Sequence, residues 1–245
     1  MKDYDAATYG DRIASVYDDL YDNLFDVDGT VTLLAELAAG RPALELAIGT
    51  GRIAIPLKRA GVDVKGIDAS EAMVAKLRAK PGGDDIEVAM GDFADIELEG
   101  TFGLVFIVFN SLFALPSQQD QIRCFASVAD HLADDGVFLI EAFVPDITRF
   151  ERHQSSGVDS VSVDEVIMEA SRHDPVRQRV DSQHIVMRAG KPVELYPVSI
   201  RYAYPSELDL MARLAGLWLR DRWGGWRREP FTSESNFHVS VYTSA

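Results

Sequence analysis

The chain has 245 residues, with 24 Lys and Arg against 39 Asp and Glu, a formal net charge of −15. That length can bury a real core in one large domain, and the negative field argues against nucleic acid or an anionic membrane surface as partner. A single cysteine, Cys124, excludes an internal disulfide, and no apolar run approaches the roughly 18 residues of a membrane helix.

The polar, acidic start carries no apolar signal core, which adds the expectation of a cytoplasmic protein. Residues 13–17 and 31–37 place apolar side chains at helical spacing and predict two amphipathic helices, joined by the acidic and aromatic segment 18–28. These helices would form an N-terminal cover. Tyr9 and Tyr17 stand eight apart and share a face if the helix already includes Tyr9.

From residue 43 onward short apolar runs alternate with helical patterns, and 43–47, 62–67, 86–89, 104–109 and 137–143 read as strands. Such alternation predicts a parallel sheet wrapped by helices. The first strand holds an acid, Glu45, and runs into Ala47, Ile48, Gly49, Thr50 and Gly51. Those glycines let the backbone turn tightly against a ligand, and a helix opens beyond Arg52, with Pro56 tolerated only in its first turn. Asp68 closes the second strand about twenty residues after the glycine turn, the spacing at which an acid reaches the ribose hydroxyls of a nucleoside. Ser70 is placed to cap a helix over 71–79. Ile122, Phe125, Val128, Ala129 and Leu132 make one buried face of a helix over 118–132, where Cys124 is a core residue.

After Pro145 the pattern changes to strands at 161–171, 177–188 and 193–204, separated by His173, Asp174, Pro175 and by Ala189, Gly190, Lys191, Pro192. Such breaks are turn chemistry and predict an antiparallel meander. Ser206 starts a helix, and 217–219 with a last strand at 237–242 finish the sheet as a hairpin.

A glycine turn alone does not choose a cofactor. Gly49, Thr50, Gly51, Arg52, Ile53 and Ala54 also fit the dinucleotide version, so a nicotinamide-dependent oxidoreductase stays open, as does a non-catalytic cofactor-binding protein. No His-x-x-x-His pair or clustered cysteine points to a metal, and none is expected. His131, His153 and His173 fall near helix ends or turns and are expected in solvent, whereas His184 and His238 lie in strands that could face a site. Arg220, Arg222, Arg227 and Arg228 cluster around Trp218, Trp223 and Trp226, as a clamp for phosphate or carboxylate or as a lid whose arginines pair with acids.

Taken together, Glu45 before the glycine turn, Asp68, and Gly91, Asp92, Phe93 after the third strand resemble the class I S-adenosylmethionine-dependent methyltransferases over nearly the whole chain. Ala47 departs from their pattern, standing where a glycine is commonest. The resemblance implies an α/β, Rossmann-like fold: a mostly parallel seven-stranded sheet with helices on both faces, an N-terminal helical cover and an antiparallel β insertion. It divides the chain into a cover at 1–40, a cofactor-binding core at 41–145 and 205–245, and a substrate lid at 146–204. It also implies that Glu45 supports the loop, that Gly49 and Gly51 pass the methionine part of S-adenosylmethionine, and that Asp68 holds the ribose. Met73 would flank the adenine, Asp92 and Phe93 its edge and face, and Phe109 with Asn110 would border the methionine moiety and the substrate.

A narrower likeness is to small-molecule N-methyltransferases of the glycine and amino-sugar kind, carried by residues 9–18 and by the antiparallel insertion. In such enzymes the N-terminal tyrosines lie near the sulfonium, which makes Tyr9 and Tyr17 the catalytic candidates, as positioning groups. Some relatives carry a histidine after the fourth strand, and Leu112, Phe113, Ala114, Leu115 offer none. The resemblance thus implies N-methylation of an amino sugar or related secondary metabolite, with O-methylation of a natural product as the alternative. A small-molecule substrate and a homodimer complete the expectation.

Overall fold

The computed structural model describes residues 1–21 and 26–244. Five strands, β1 (Ala43–Leu46), β2 (Val64–Asp68), β3 (Glu87–Met90), β4 (Phe102–Ile107) and β5 (Leu132–Phe143), pair in parallel in the order β5, β4, β1, β2, β3. A separate antiparallel sheet follows in chain order: β6 (Gln154–Val161), β7 (Glu165–Asp174), β8 (Arg179–Arg188) and β9 (Glu194–Arg201). The chain then returns to the main sheet with β10 (Leu217–Trp223) at its edge and β11 (Phe237–Ser244) antiparallel to both β10 and β5. The result is seven strands with one reversed.

Every residue of β1 and β4 is buried, because helices cover both faces of the parallel sheet. On one face α3 (Val27–Ala38) and α4 (Ala54–Arg59) bring Leu33, Leu34 and Leu57 against Leu104, Phe106, Leu139 and Val241. On the other, α6 (Gln118–His131) and α7 (Pro205–Leu214) set Cys124, Phe125, Val128, Leu208 and Met211 against Val105, Phe138, Ile140 and Tyr242. Local signals place the starts: Ser70 accepts from Met73 N at 3.2 Å at the head of α5 (Glu71–Arg78), and Ser117 accepts from Asp120 N at 3.1 Å at the head of α6. Pro56 is the third residue of α4, inside the turn whose N–H groups have no helical partner.

At the N-terminus the structure corrects the expectation. Residues 13–17 are not one helix but the joint between α1 (Thr8–Ile13) and α2 (Tyr17–Tyr21), so three helices precede β1. No breaker residue marks that joint; Asp11 before it accepts from Ser70 Oγ and Asp18 after it from Thr50 Oγ1. Of the segment read as a connection, residues 18–21 are helical and Asp26 caps α3 through Gly29 N at 2.9 Å, while 22–25 lie outside the described residues. In α1, Gly10 is required by close approach: a Cβ there would stand 2.5 Å from Ser70 Cβ. α1 therefore packs into α5 and into the second sheet, where Ile13 and Ala14 meet Met73, Val186 and Tyr196.

The meander has four strands, not three. Residues 161–171 span a turn in which Ser162 N donates to Glu165 O at 2.8 Å and Glu165 N to Ser162 Oγ at 3.1 Å, and β6 precedes it. That strand is polar and exposed almost throughout, so it has no apolar alternation to read and is held by its backbone ladder to β7. The helix expected from Ser206 starts at Pro205, an N1 proline after Tyr204. Among the described residues no helix is long and apolar enough to cross a membrane.

Candidate active site

The carboxyl ends of β1, β4 and β5 open into a cleft lined by Tyr17, Glu45, Gly49, Arg52, Phe109 and Glu141 among others. Such a crevice at the strand ends of an open α/β sheet is where ligands bind. Its floor is the turn after β1, where Ala47, Gly49 and Gly51 all have left-handed φ of 57°, 56° and 74°. A Cβ on Gly49 would meet nothing closer than Ala47 O at 3.9 Å, so the backbone there faces open space that a ligand can fill.

Asp68 is the clasp of this turn. Its Oδ2 accepts from Gly49 N at 2.7 Å and its Oδ1 from Ser70 N at 2.8 Å, and burial holds its pKa above the usual carboxylate range. Ala69 N–H donates to the same carboxylate, so of its roughly four lone-pair sites about one is left for a ligand. Glu45 is 3 % exposed; Ala54 N–H donates to it, while Oε2 has no partner among the described residues. Burial first, and Asp68 second, push its pKa well above normal. An unpartnered buried carboxyl oxygen beside an open glycine turn fits the charged, amine-bearing end of a nucleoside cofactor.

The N-terminal helices close the other wall. Asp18 accepts from Thr50 Oγ1 at 2.6 Å and pairs with Lys80 Nζ at 2.8 Å, and Asp11 accepts from Ser70 Oγ at 2.6 Å. Both acids therefore bind the cover to the glycine turn and to the head of α5. Behind them Tyr17, Tyr21 and Phe109 surround the Arg52 guanidinium, with ring centroids 4.8, 5.8 and 5.6 Å from Cζ. Tyr9 stands one layer back, edge-on to Tyr17 at 6.4 Å, with its hydroxyl donating to Tyr21 at 3.2 Å. Burial raises the pKa of both Tyr9 and Tyr17, so these phenols stay protonated at neutral pH and can orient a ligand but not act as bases.

The structure brings Glu45, Gly49, Phe109 and Tyr17 into one cleft and joins Asp68 to it through the glycine turn. Gly51 turns inside the same loop. Met73 sits under α1, 4 % exposed among core side chains, and Phe93 faces the core of the α6 side at 8 % exposure. Asp92 is exposed and accepts from Ala94 N at 2.9 Å, and the Gly91 N–H donating to Asp68 O at 3.0 Å ties that turn to the tip of β2.

Three residues of this geometry went unmarked in the sequence. Tyr21 lies in the stretch read as a connection, and Arg52 was read as the opening of a helix. Glu141 is an acid inside the apolar run of β5, the same signal that singled out Glu45. It accepts a short hydrogen bond from Phe109 N, and burial pushes its pKa up to about 7. Asn110 locks the same corner, its Oδ1 accepting from Phe143 N at 2.6 Å. Phe109 and Asn110 both have left-handed φ, 57° and 62°, so the corner is strained and held from β5.

Of the two readings of the arginine cluster, the structure has the one in which the arginines pair with acids: Arg222 with Asp209 at 2.6 Å, Arg227 with Asp26 at 2.8 Å and Arg228 with Glu36 at 2.6 Å. Two histidines differ from expectation. His173 is buried rather than solvated, bonded to Tyr202 Oη at 2.9 Å and covered by the Phe150 ring stacked on it at 4.4 Å. His238 is fully buried against Ser240 Oγ at 2.8 Å and does not line the cleft.

Comparison with known proteins gives the family and the fold. A family profile described as "Methyltransferase domain" matches residues 43–136. The chain is 30 % identical over 202 residues, 80 % of each sequence, to a protein named cypemycin N-terminal methyltransferase from Streptomyces sp.. Its structure is similar to that of the CcbJ methyltransferase from Streptomyces caelestis, at 40 % identity and a TM-score of 0.89, covering 99 % of this chain and 100 % of that one. The sugar N-methyltransferase KedS8 from Streptoalloteichus sp. shares the fold at 20 % identity and a TM-score of 0.69, with 98 % of each chain covered.

Proposed function

The chain belongs to the class I S-adenosylmethionine-dependent methyltransferases, and from that premise we propose that it methylates a nitrogen atom of a small molecule, an amino sugar or a related secondary metabolite. As a member of that family it uses S-adenosylmethionine, which displaces the nicotinamide alternative left open by the glycine turn. The observation that carries the proposal is the aromatic wall: Tyr17, Tyr21 and Phe109 already surround a guanidinium in the cleft. Such a wall stabilises positive charge, on a sulfonium and on the ammonium that nitrogen methylation produces. The nitrogen-methylating relative named above supports the same choice.

When bound, S-adenosylmethionine supplies a methyl group on a positively charged sulfur. What this chain adds is placement. In this reading Asp68 holds the ribose hydroxyls, Gly49 and Gly51 let the backbone pass the methionine part, and Glu45 faces its ammonium. Asp92 would meet the adenine amine at the edge of the site. Tyr9 and Tyr17 orient the acceptor and exclude water, which asks no proton transfer of them. Residues 1–40 and 146–204 serve as cover and lid on the core formed by 41–145 and 205–245. A cytoplasmic homodimer completes the proposal, and the −15 charge argues against a nucleic-acid partner.

The test is a panel of amines, amino sugars and phenols incubated with S-adenosylmethionine and scored by S-adenosylhomocysteine release. Turnover of amines supports the proposal; turnover confined to phenols or alcohols transfers it to oxygen. Cofactor binding with a flat panel would favour a binding protein.

A further inference from the structure

Glu141 is the acid in the cleft that the proposed function leaves without a task. It is 8 % exposed, at the end of β5 between the Phe109 corner and the glycine-turn side of the sheet. One oxygen accepts from Phe109 N; the other takes no hydrogen bond from any described residue and is not sealed from the cleft. The other charged or titratable groups lining the cleft are Glu45 from β1, Arg52 from the turn after it and Tyr17 from α2. Its register neighbour on β11 is apolar Val239, and the turn after β4 contributes Val108 and Phe109. No cation is bonded to Glu141 among the described residues.

We propose that Glu141 is the counter-charge of the methyl-transfer cleft, ionised opposite the sulfonium and protonated by the acceptor nitrogen once the methyl group has moved. The inference rests on the methyltransferase reading and deepens it. A buried carboxyl with one free oxygen and no cationic partner is costly to ionise, and a fixed positive charge entering the same dry cleft removes that cost. As the acceptor nitrogen's lone pair forms the new C–N bond, the C–S bond breaks with its electron pair left on sulfur, which becomes a neutral thioether. The positive charge is then on the N-methylated ammonium, whose N–H proton passes to the free oxygen of Glu141. Each stage leaves this pair of groups neutral. Glu141 thereby distinguishes cofactor from product: it attracts S-adenosylmethionine and, once protonated, has no charge to hold S-adenosylhomocysteine.

Calorimetric titration at pH 7, in phosphate and in Tris, counts protons released on binding and needs no acceptor. Because burial places the Glu141 pKa at about 7, wild-type protein should release about half a proton more with S-adenosylmethionine than with S-adenosylhomocysteine. In Glu141→Gln, whose side-chain carbonyl can still accept from Phe109 N, that difference should vanish. The preference for S-adenosylmethionine over S-adenosylhomocysteine should fall on the order of tenfold, the effect of shifting one pKa by a unit. Glu45→Gln should keep the difference. Equal proton release for the two ligands in wild type, or a difference that survives Glu141→Gln and is lost in Glu45→Gln, overturns the assignment. The wild-type comparison decides even where a variant fails to fold. No binding of S-adenosylmethionine at all would instead sink the methyltransferase reading, and the inference with it.

Discussion

Asp68 and Gly49 are joined by a 2.7 Å hydrogen bond from the Gly49 N–H to Oδ2, so the acid expected to grip the ribose also holds the glycine turn closed. Removing the side chain should therefore damage two properties together. In Asp68→Ala the Gly49 and Ser70 N–H groups lose their acceptor, a loss on the order of 1–3 kcal/mol in unfolding stability. Affinity for S-adenosylhomocysteine should fall by a similar amount, read by calorimetry. An unfolding curve that shifts while affinity stays constant would remove the ribose from Asp68.

Burial of Glu141 makes stability depend on pH with a definite sign. Its folded pKa of about 7 lies above the ordinary 4.5, so between those values the folded chain binds more protons than the unfolded one. Stability is greatest below that window and falls as pH rises through it, by on the order of 3 kcal/mol. Glu45 and Asp68, also raised, slope the same way. Glu141→Gln should flatten part of the curve and gain most at pH 8. Chemical denaturation at pH 5, 6, 7 and 8 measures this, and parallel curves for variant and wild type would show that Glu141 is ionised already at pH 5.

Ala47 carries a Cβ at φ 57°, where its family relatives most often have glycine. An L-residue pays about 1–2 kcal/mol in the left-handed region. Glycine relieves that strain but adds about 0.4–1 kcal/mol of unfolded-chain entropy. Ala47→Gly should thus stabilise by up to about 1.6 kcal/mol, seen as a higher Tm. A lower Tm would mean that the Ala47 methyl packs more tightly than the strain it causes.

Asp18 links the cover to the glycine turn through Thr50 Oγ1 and Lys80. Both partners are part-exposed, so the coupling between Asp18→Ala and Lys80→Ala in a double-mutant cycle should be about 0.2–1 kcal/mol. Faster limited proteolysis near the N-terminus of Asp18→Ala, suppressed by S-adenosylhomocysteine, would accompany it. Identical cleavage rates in variant and wild type would show that Asp18 does not hold the cover.

The parallel sheet, the cap at Ser70, the glycine turn and its two acids were all legible in the sequence, because each is a local pattern. Burial on both faces makes a strand a continuous apolar run, a cap is a hydroxyl three residues before its N–H, and a nucleoside turn needs glycines at fixed spacing. The joint between α1 and α2, the polar strand β6 and the burial of His173 were not legible, since contacts far along the chain decide each of them.

Glu141 shows the division most clearly. An acid in the run of β5 could be read from the sequence, as Glu45 was in β1. Its place could not. Strand order sets β5 beside β4 and β4 beside β1, the parallel register puts Ile140 opposite Ile107, and the left-handed corner at Phe109 then turns its N–H onto the carboxylate. Sequence alone determined which residues could carry charge and turn the chain, since those are properties of single side chains and short spacings. Tertiary structure decided which of them share a cleft, because burial and hydrogen-bond partners depend on what the rest of the chain places around them.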